Sequence, residues 1–503
     1  MEFGPLLYAL LSVTLLYFII SLPSGLYRQK LRHIPTVGGP SLPIISYYGA
    51  FRFLFHAREI MQEGYAKYKG GIFKFSELGH WRVIVTGPKL VDEFRRAPES
   101  VLSSSEALRE MIGLDYTLGL GMIHDPYHVQ VIRSRLKGDL GSSFHEVRDE
   151  IVASLNDELR SGSDGNWSRV PVMKMAYEVV CRASNRLFIG LPICRDPDYC
   201  ALNKSFARDI TACAKVFRIT PKFLKPVVAR LLPDVSKGID RGVRHLEPII
   251  SKRLRMLEDL GDEWTDRPND MLQWLIEAAR GEERTVRALV IRVLAVNLAA
   301  LHTTAVSLTM ALFYLAAFPQ YIGPLRDEVE NVVREHGWTK AGLDQMNMVD
   351  SFLREVMRAS GMSTGTMSRI ALKDYTFSDG TFIPAGTHLM TPSGPIFADD
   401  TVYPGASEFN PWRFSEMGDQ GDHVKLVNTN VNFLSFGHGG HACPGRFFAS
   451  IKMKMVLAHI VMNYDVKMER EGVIPRSTRI GHICVPSTRA EMLFQQRSPH
   501  SRA

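Results

Sequence analysis

Apolar residues recur every three to four positions over most of this chain, the spacing of helices that bury one face. That period predicts helices over 56–68, 88–97, 127–140, 143–162, 171–187, 235–260, 269–280, 321–336, 347–360 and 445–463. Alternation with a period of two is confined to short stretches. Residues 72–78 and 82–87 read as one β-hairpin, and 375–390 as a second, turned at Asp379-Gly380. The expected fold class is mainly α with a minor β portion.

Two runs are apolar all round instead of on one face. Pro5–Leu22 is 18 residues long, ~27 Å as a helix and close to the ~30 Å of bilayer hydrocarbon. It carries Glu2 before it and Arg28, Lys30 and Arg32 after it, the reverse of a cleavable signal peptide; the excess of cations on its C-terminal side predicts that the chain beyond residue 28 is cytosolic. The second run, Val293–Phe318, has no charge either, but Asn297, His302, Thr303, Thr304, Ser307 and Thr309 place polar groups midway. Lipid would penalise that stripe, whereas a buried helix beside a cavity could use it, so Thr285–Phe318 is expected to cross the globule and stop at Pro319. Between anchor and globule, Pro35, Gly38, Gly39, Pro40 and Pro43 forbid a helix. The expected organisation is an anchor (1–27), a basic, Pro/Gly-rich linker (28–49) and one large domain (50–503).

Composition narrows the function classes. With 503 residues, 45% hydrophobic and 22% charged, the chain can bury a large core and is neither disordered nor fibrous. Its net charge of +7 is modest and scattered, which argues against nucleic acid and leaves membrane lipid or an acidic protein as partners. Cys181, Cys194, Cys200, Cys213, Cys443 and Cys484 are too sparse for a disulfide framework and contain no C-x-x-C pair. The sequons at Asn166 and Asn203 are expected to stay unmodified on the cytosolic side.

The densest chemistry lies in Phe433–Ser450, FLSFGHGGHACPGRFFAS. A glycine-rich loop delivers Cys443 toward a helix N-terminus, where free N–H groups and the helix dipole lower a thiol pKa and stabilise a thiolate. Gly439 and Gly445 would let a flat group approach the backbone, and Phe436 would shield the sulfur. On these residues alone three readings stand: a zinc site from His438, His441 and Cys443, a cysteine nucleophile, or an ordinary buried thiol.

FxxGxHxCxG at 436–445 resembles the haem-binding signature of the cytochrome P450 family. Three more segments keep that family's order. Glu355-Val-Met-Arg358 has the ExxR spacing, FNPWRF at 409–414 is similar to the segment whose arginine, here Arg413, joins that pair, and Ala299-Ala300-Leu301-His302-Thr303-Thr304 resembles the oxygen-binding motif of the long distal helix. The resemblance implies a haem-thiolate fold behind one transmembrane helix. It makes Cys443 the axial ligand of haem b, and implies a buried Glu355–Arg358–Arg413 network that fixes the ligand loop. Thr303 becomes the hydroxyl that hydrogen-bonds oxygen, with Thr304 beside it. His302 stands where the family has an acid and Ala300 where it has glycine, so the carboxylate of the proton relay is missing. The same resemblance puts His441 and Arg369 at the haem propionates; the helix 127–137 lacks the usual Trp-x-x-x-Arg, leaving His128 and Arg133 as substitutes.

The implied reaction is insertion of one oxygen atom from O2 into a lipophilic small molecule, a terpenoid or related secondary metabolite by likeness to fungal members. The chain lacks a flavin or dinucleotide motif, so electrons are expected from NADPH through a separate cytochrome P450 reductase, docked on Arg446, Lys452, Lys454, Arg133, Arg135 and Lys137. A thiolate-haem isomerase or dehydratase, or a haem protein that only binds ligand, would share Cys443. The implied location is the endoplasmic reticulum membrane with the catalytic domain cytosolic, and Val216–Pro233 as a second lipid contact.

Overall fold

The computed structural model describes residues 30–42, 45–136, 140, 143–159, 166–220, 224–417 and 425–497. The anchor read over 1–27, Lys137, and the ends assigned to the helices 127–140 and 143–162 lie outside them. In chain order come α1 (Ser46–Lys67), β1 (Ile72–Glu77), β2 (His80–Val85), β3 (Leu102–Ser103), α2 (Tyr127–Arg135), α3 (Ser143–Leu159) and β4 (Ser168–Pro171). Next are α4 (Val172–Phe188), α5 (Pro197–Ile219), α6 (Val235–Leu260), α7 (Val286–Ala317), α8 (Asn347–Ala359), β5 (Thr366–Ala371), β6 (Tyr375–Thr376), β7 (Phe382–Ile383) and β8 (His388–Thr391). The chain closes with α9 (Arg446–Asn463), β9 (Tyr464–Lys467), β10 (Thr478–Ile480), β11 (Ile483–Val485) and β12 (Glu491–Gln496).

Helix α7 organises the rest. Thr285 caps its start by accepting from the Ala288 N–H at 3.4 Å, and Pro319 comes just after its end. Its midsection bonds its own polar groups: Asn297 donates to Asn185 of α4 at 3.0 Å, and Thr309 donates to the Ala305 carbonyl at 2.7 Å. Helix α7 is long and apolar enough to cross a membrane, yet from Thr304 to Ala317 it is continuously buried. Each Leu or Phe buried there contributes ~1.5–3 kcal/mol, which protein neighbours supply in place of lipid.

The β portion is larger than periodicity predicts. The 375–390 stretch is not one hairpin: β6 pairs with β7 alone, while β8 joins a five-stranded sheet of order β1-β2-β8-β5-β3. The turn at 379–380 closes only a two-residue ladder, and β8 gains more by pairing parallel to β2, Arg82 opposite His388. A second sheet, β4-β12-β9, joins the middle of the chain to its end.

One polar knot ties these layers together. Glu77, at the end of β1, lies 3.0 Å from Arg82, 3.1 Å from Arg218 at the end of α5, 2.8 Å from His80 and 2.5 Å from His482 between β10 and β11. Burial alone would raise the Glu77 carboxyl, but Arg82 and His482 hold it well below the usual range. Burial pushes both histidines down, aided by Arg82 and Arg218 and opposed by Glu77. A histidine depressed in the folded state binds fewer protons there than when unfolded, so its contribution is complete above ~6.5 and is lost as pH falls through the folded value. Thermal midpoints should therefore drop between pH 7 and pH 5, with a shallower drop for His482→Gln; an unchanged slope in that variant counts against the knot.

Candidate active site

The loop before α9 turns on two residues in the left-handed region, Gly437 (φ 67°) and Gly439 (φ 79°), which lets the Cys443 N–H return to the Phe436 carbonyl at 2.8 Å. A Cβ on Gly439 would come within 3.2 Å of Arg95, so that glycine serves the turn and its packing and not an open face; Gly445 has nothing near its Cβ position. Helix α9 begins only at Arg446. Burial consequently pushes the Cys443 thiol up, against the pull of the Gly445 and Arg446 N–H groups and the Arg446 guanidinium. Cys443 is nonetheless exposed as a residue, the one described cysteine that is not buried.

The carboxylate of Glu355, fully buried on α8, receives both Nε and Nη2 of Arg358 at 2.7 Å, Nε of Arg413 at 3.2 Å and the Asn410 N–H at 3.1 Å. The two guanidiniums then clasp the 404–410 strap: Arg358 donates to the Ala406 and Glu408 carbonyls, Arg413 to those of Pro404 and Gly405. Arg354, one turn earlier and absent from the sequence reading, donates to the Asn428 carbonyl at 2.9 Å and to that of Lys425, and stacks 3.7 Å over Phe433, where the loop starts. Burial pushes it down to about 10. Its signal was available in the (i, i+4) spacing from Arg358.

Arg133, Arg369 and His441 gather beyond the loop. Arg133 donates to the Gly440 carbonyl at 2.9 Å, and Arg369 donates to the Leu102 and Ala97 carbonyls at 3.0 and 3.2 Å. Both lie close enough to His441 to help burial depress it, while Glu99, 3.4 Å away, acts oppositely. Met367, just before Arg369, has φ 57° at a bulge in β5 and lies by Gly437; such a non-glycine conformation costs ~1–3 kcal/mol and carries no sequence signature. His128 goes elsewhere: it accepts from Arg292 of α7 at 2.8 Å, and burial with that cation pushes it down to about 4. His438 pairs with Thr429, and no cluster of three His, Cys, Asp or Glu able to hold a metal ion occurs among the described residues, which removes the zinc reading.

Along α7, Ala299 and Thr303 are exposed one turn apart, with the half-buried Leu298, Ala300 and His302 around them; Thr304 is buried. The Thr303 hydroxyl donates to the Ala299 carbonyl at 2.9 Å. His302 turns instead to α4, where it bonds the Tyr177 hydroxyl. Burial raises that phenol to about 12 and, with Lys215 nearby, lowers His302. A phenol so held is a donor, so His302 accepts at Nδ1 and carries its proton on Nε2.

An exposed cysteine, a glycine without neighbours beside it, an exposed turn of α7, two guanidiniums and a neutral imidazole around the loop suit a flat, dianionic metal macrocycle. A family model described as Cytochrome P450 matches residues 38–494. The chain belongs to the cytochrome P450 family. Relatives include Cytochrome P450 monooxygenase 103 of Postia placenta, 40% identical over 97% of this chain and 99% of the relative. Cytochrome P450 monooxygenase CYP512U6 of Ganoderma lucidum is 32% identical over 94% of each chain. Ent-kaurene oxidase of Gibberella intermedia is 30% identical over 98% of this chain and 93% of the relative. Membership in the P450 family implies a haem-thiolate iron cofactor, and the residues described fit it.

The basic surface expected for a reductase needs correction. Lys452 and Lys454 are buried. Lys452 donates to Ser184 at 2.6 Å and is pushed by burial down to about 7; Lys454 pairs with Asp350 at 2.8 Å. Two positions apart on a helix is ~200°, so both could not share one exposed face with Arg446. Arg133 and Arg135 do face solvent. Asn203 is also buried, its amide donating to the Tyr199 carbonyl inside α5.

Proposed function

We propose that this P450 is a monooxygenase that places one oxygen atom of O2 in a lipophilic small molecule, a terpenoid or similar secondary metabolite, and releases the other as water. The observation that carries this reading is the exposed Cys443, beside the buried Glu355–Arg358–Arg413 network, in a chain of this family. The names of the relatives support the reaction class, and the ent-kaurene oxidase supports the substrate class. Haem bound at Cys443 supplies the activation of O2. Cys443 would anchor the cofactor, Arg133 and Arg369 would offset the charge of its propionates, and His441 would hydrogen-bond them. Phe436 screens the sulfur, and Thr303 moves a proton. His302, tied to Tyr177, serves from behind the helix. Electrons come from NADPH through a separate reductase, steered by Arg133, Arg135 and Arg446. The domain faces the cytosol from the endoplasmic reticulum membrane, anchored by residues 1–27. Leu224, Val227 and Leu231 are exposed and suit a second lipid contact.

Membranes from a host supplying reductase and this chain should consume NADPH and O2 when a lipophilic substrate is added, forming a product one oxygen heavier. Product without NADPH consumption would make it an isomerase or dehydratase; spectral ligand binding without product, a carrier. Within that assay, Thr303→Ala should keep NADPH oxidation while product per NADPH falls by roughly an order of magnitude, the difference leaving as hydrogen peroxide. His302→Ala should slow turnover with a smaller loss of coupling, and unchanged coupling in Thr303→Ala would reduce that hydroxyl to its bond with Ala299.

A further inference from the structure

A cavity of about 250 Å3 lies between α1 and the β10–β11 hairpin, lined by Leu54, Phe55, Arg58, Arg479, His482 and Ile483 among others. It is smaller than the ~300–1,000 Å3 that holds a whole drug-sized ligand, so it suits one end of a longer molecule. Two guanidiniums face it. Arg479 is fixed there, donating to the Gly361 and Ser360 carbonyls at 2.9 and 3.1 Å, which leaves its remaining donors free. Arg58 has no hydrogen bond or ion pair among the described residues. Both residues are solvent-exposed, and both lie near enough to Tyr314 on α7 for their charge to counteract the upward push of burial on its phenol. Against these two cations stands one lining carboxylate, Glu59. Apolar walls lead outward through Phe55, 74% exposed, and Ile483, 45% exposed.

The cavity also adjoins the α7 machinery. Its wall at Thr364 belongs to the segment that carries Met362, whose sulfur lies 3.7 Å from the Ser307 hydroxyl; Ser307 in turn donates to the Thr303 carbonyl at 2.9 Å.

We propose that this cavity binds the anionic head of an amphiphile, a carboxylate or phosphate on an apolar chain, through Arg58 and Arg479. The monooxygenase reading bears only on what such an occupant is for, because binding is measured without reductase or NADPH. Calorimetry on the full-length holoprotein in neutral detergent compares dodecanoate, its methyl ester and dihexanoylphosphatidylglycerol. At least one of the two anions should bind about tenfold more tightly than the ester, and Arg58→Glu should abolish that preference while Arg58→Lys keeps most of it. Loss confined to dodecanoate identifies a soluble amphiphile, and loss confined to the phospholipid identifies a lipid headgroup; either supports the site. Arg58→Gln, with haem content unchanged, provides the same comparison if Arg58→Glu does not fold. Equal affinity for both anions and the ester, or anion preference that survives in folded Arg58→Glu or Arg58→Gln, overturns it.

Discussion

Cys443→Ala should abolish the red-shifted Soret band of the reduced carbon-monoxide complex that marks a thiolate ligand, with complete loss of oxygenation. The other described cysteines cannot replace it: Cys181, Cys194, Cys200, Cys213 and Cys484 are all buried, and Cys443 is exposed. The variant should still fold, since Cys443 is exposed as a residue and the loop is held by backbone bonds such as Cys443 N–H to Phe436, which alanine keeps. A thiolate-type spectrum in Cys443→Ala would sink the assignment.

The second large effect concerns stability. Glu355→Ala and Arg358→Ala each leave a charge buried without its bidentate partner, at ~3–5 kcal/mol, enough to take most of a typical margin of ~5–15 kcal/mol. Arg413 is more peripheral, its side chain 10% exposed against 2% for Arg358, and Arg358 retains Glu355 when it is gone. Arg413→Ala should therefore cost less, ~1–3 kcal/mol, and keep part of its haem. Denaturant midpoints and haem content together test this order, and equal, near-wild-type values for all three would mean the strap does not hold the loop.

What was legible in the sequence was what local pattern encodes. Helix α7 was readable to within a residue at each end because its apolar run, Thr285 cap and Pro319 stop agree. The Glu355–Arg358 pair was legible because it sits on one helix. The fate of Lys452 and Lys454 was not, since their partners Ser184 and Asp350 are 268 and 104 residues away. Helix α5 was missed although Asp196 caps it, accepting from the Asp198 and Tyr199 N–H groups, and Pro197 opens it; its Thr, Cys and Asn content dilutes helical propensity. Strand β4 is four residues long, too short for alternation to register, and exists because β12 pairs with it.

The knot around Glu77 also sets an order on assembly. Its histidine partner His482 stands 405 residues further along, and the β4–β12 pairing needs Phe494 beside Ser168. A ribosome making this chain therefore completes β1, β2 and β4 long before the strands that finish them. Until then Arg82, five residues from Glu77, is the carboxylate's local counter-ion, and β4 keeps an open edge of the kind that recruits foreign strands. A chain truncated before β12 should therefore keep the β4 edge unpaired and aggregate more readily than the full chain, which light scattering of the two would compare.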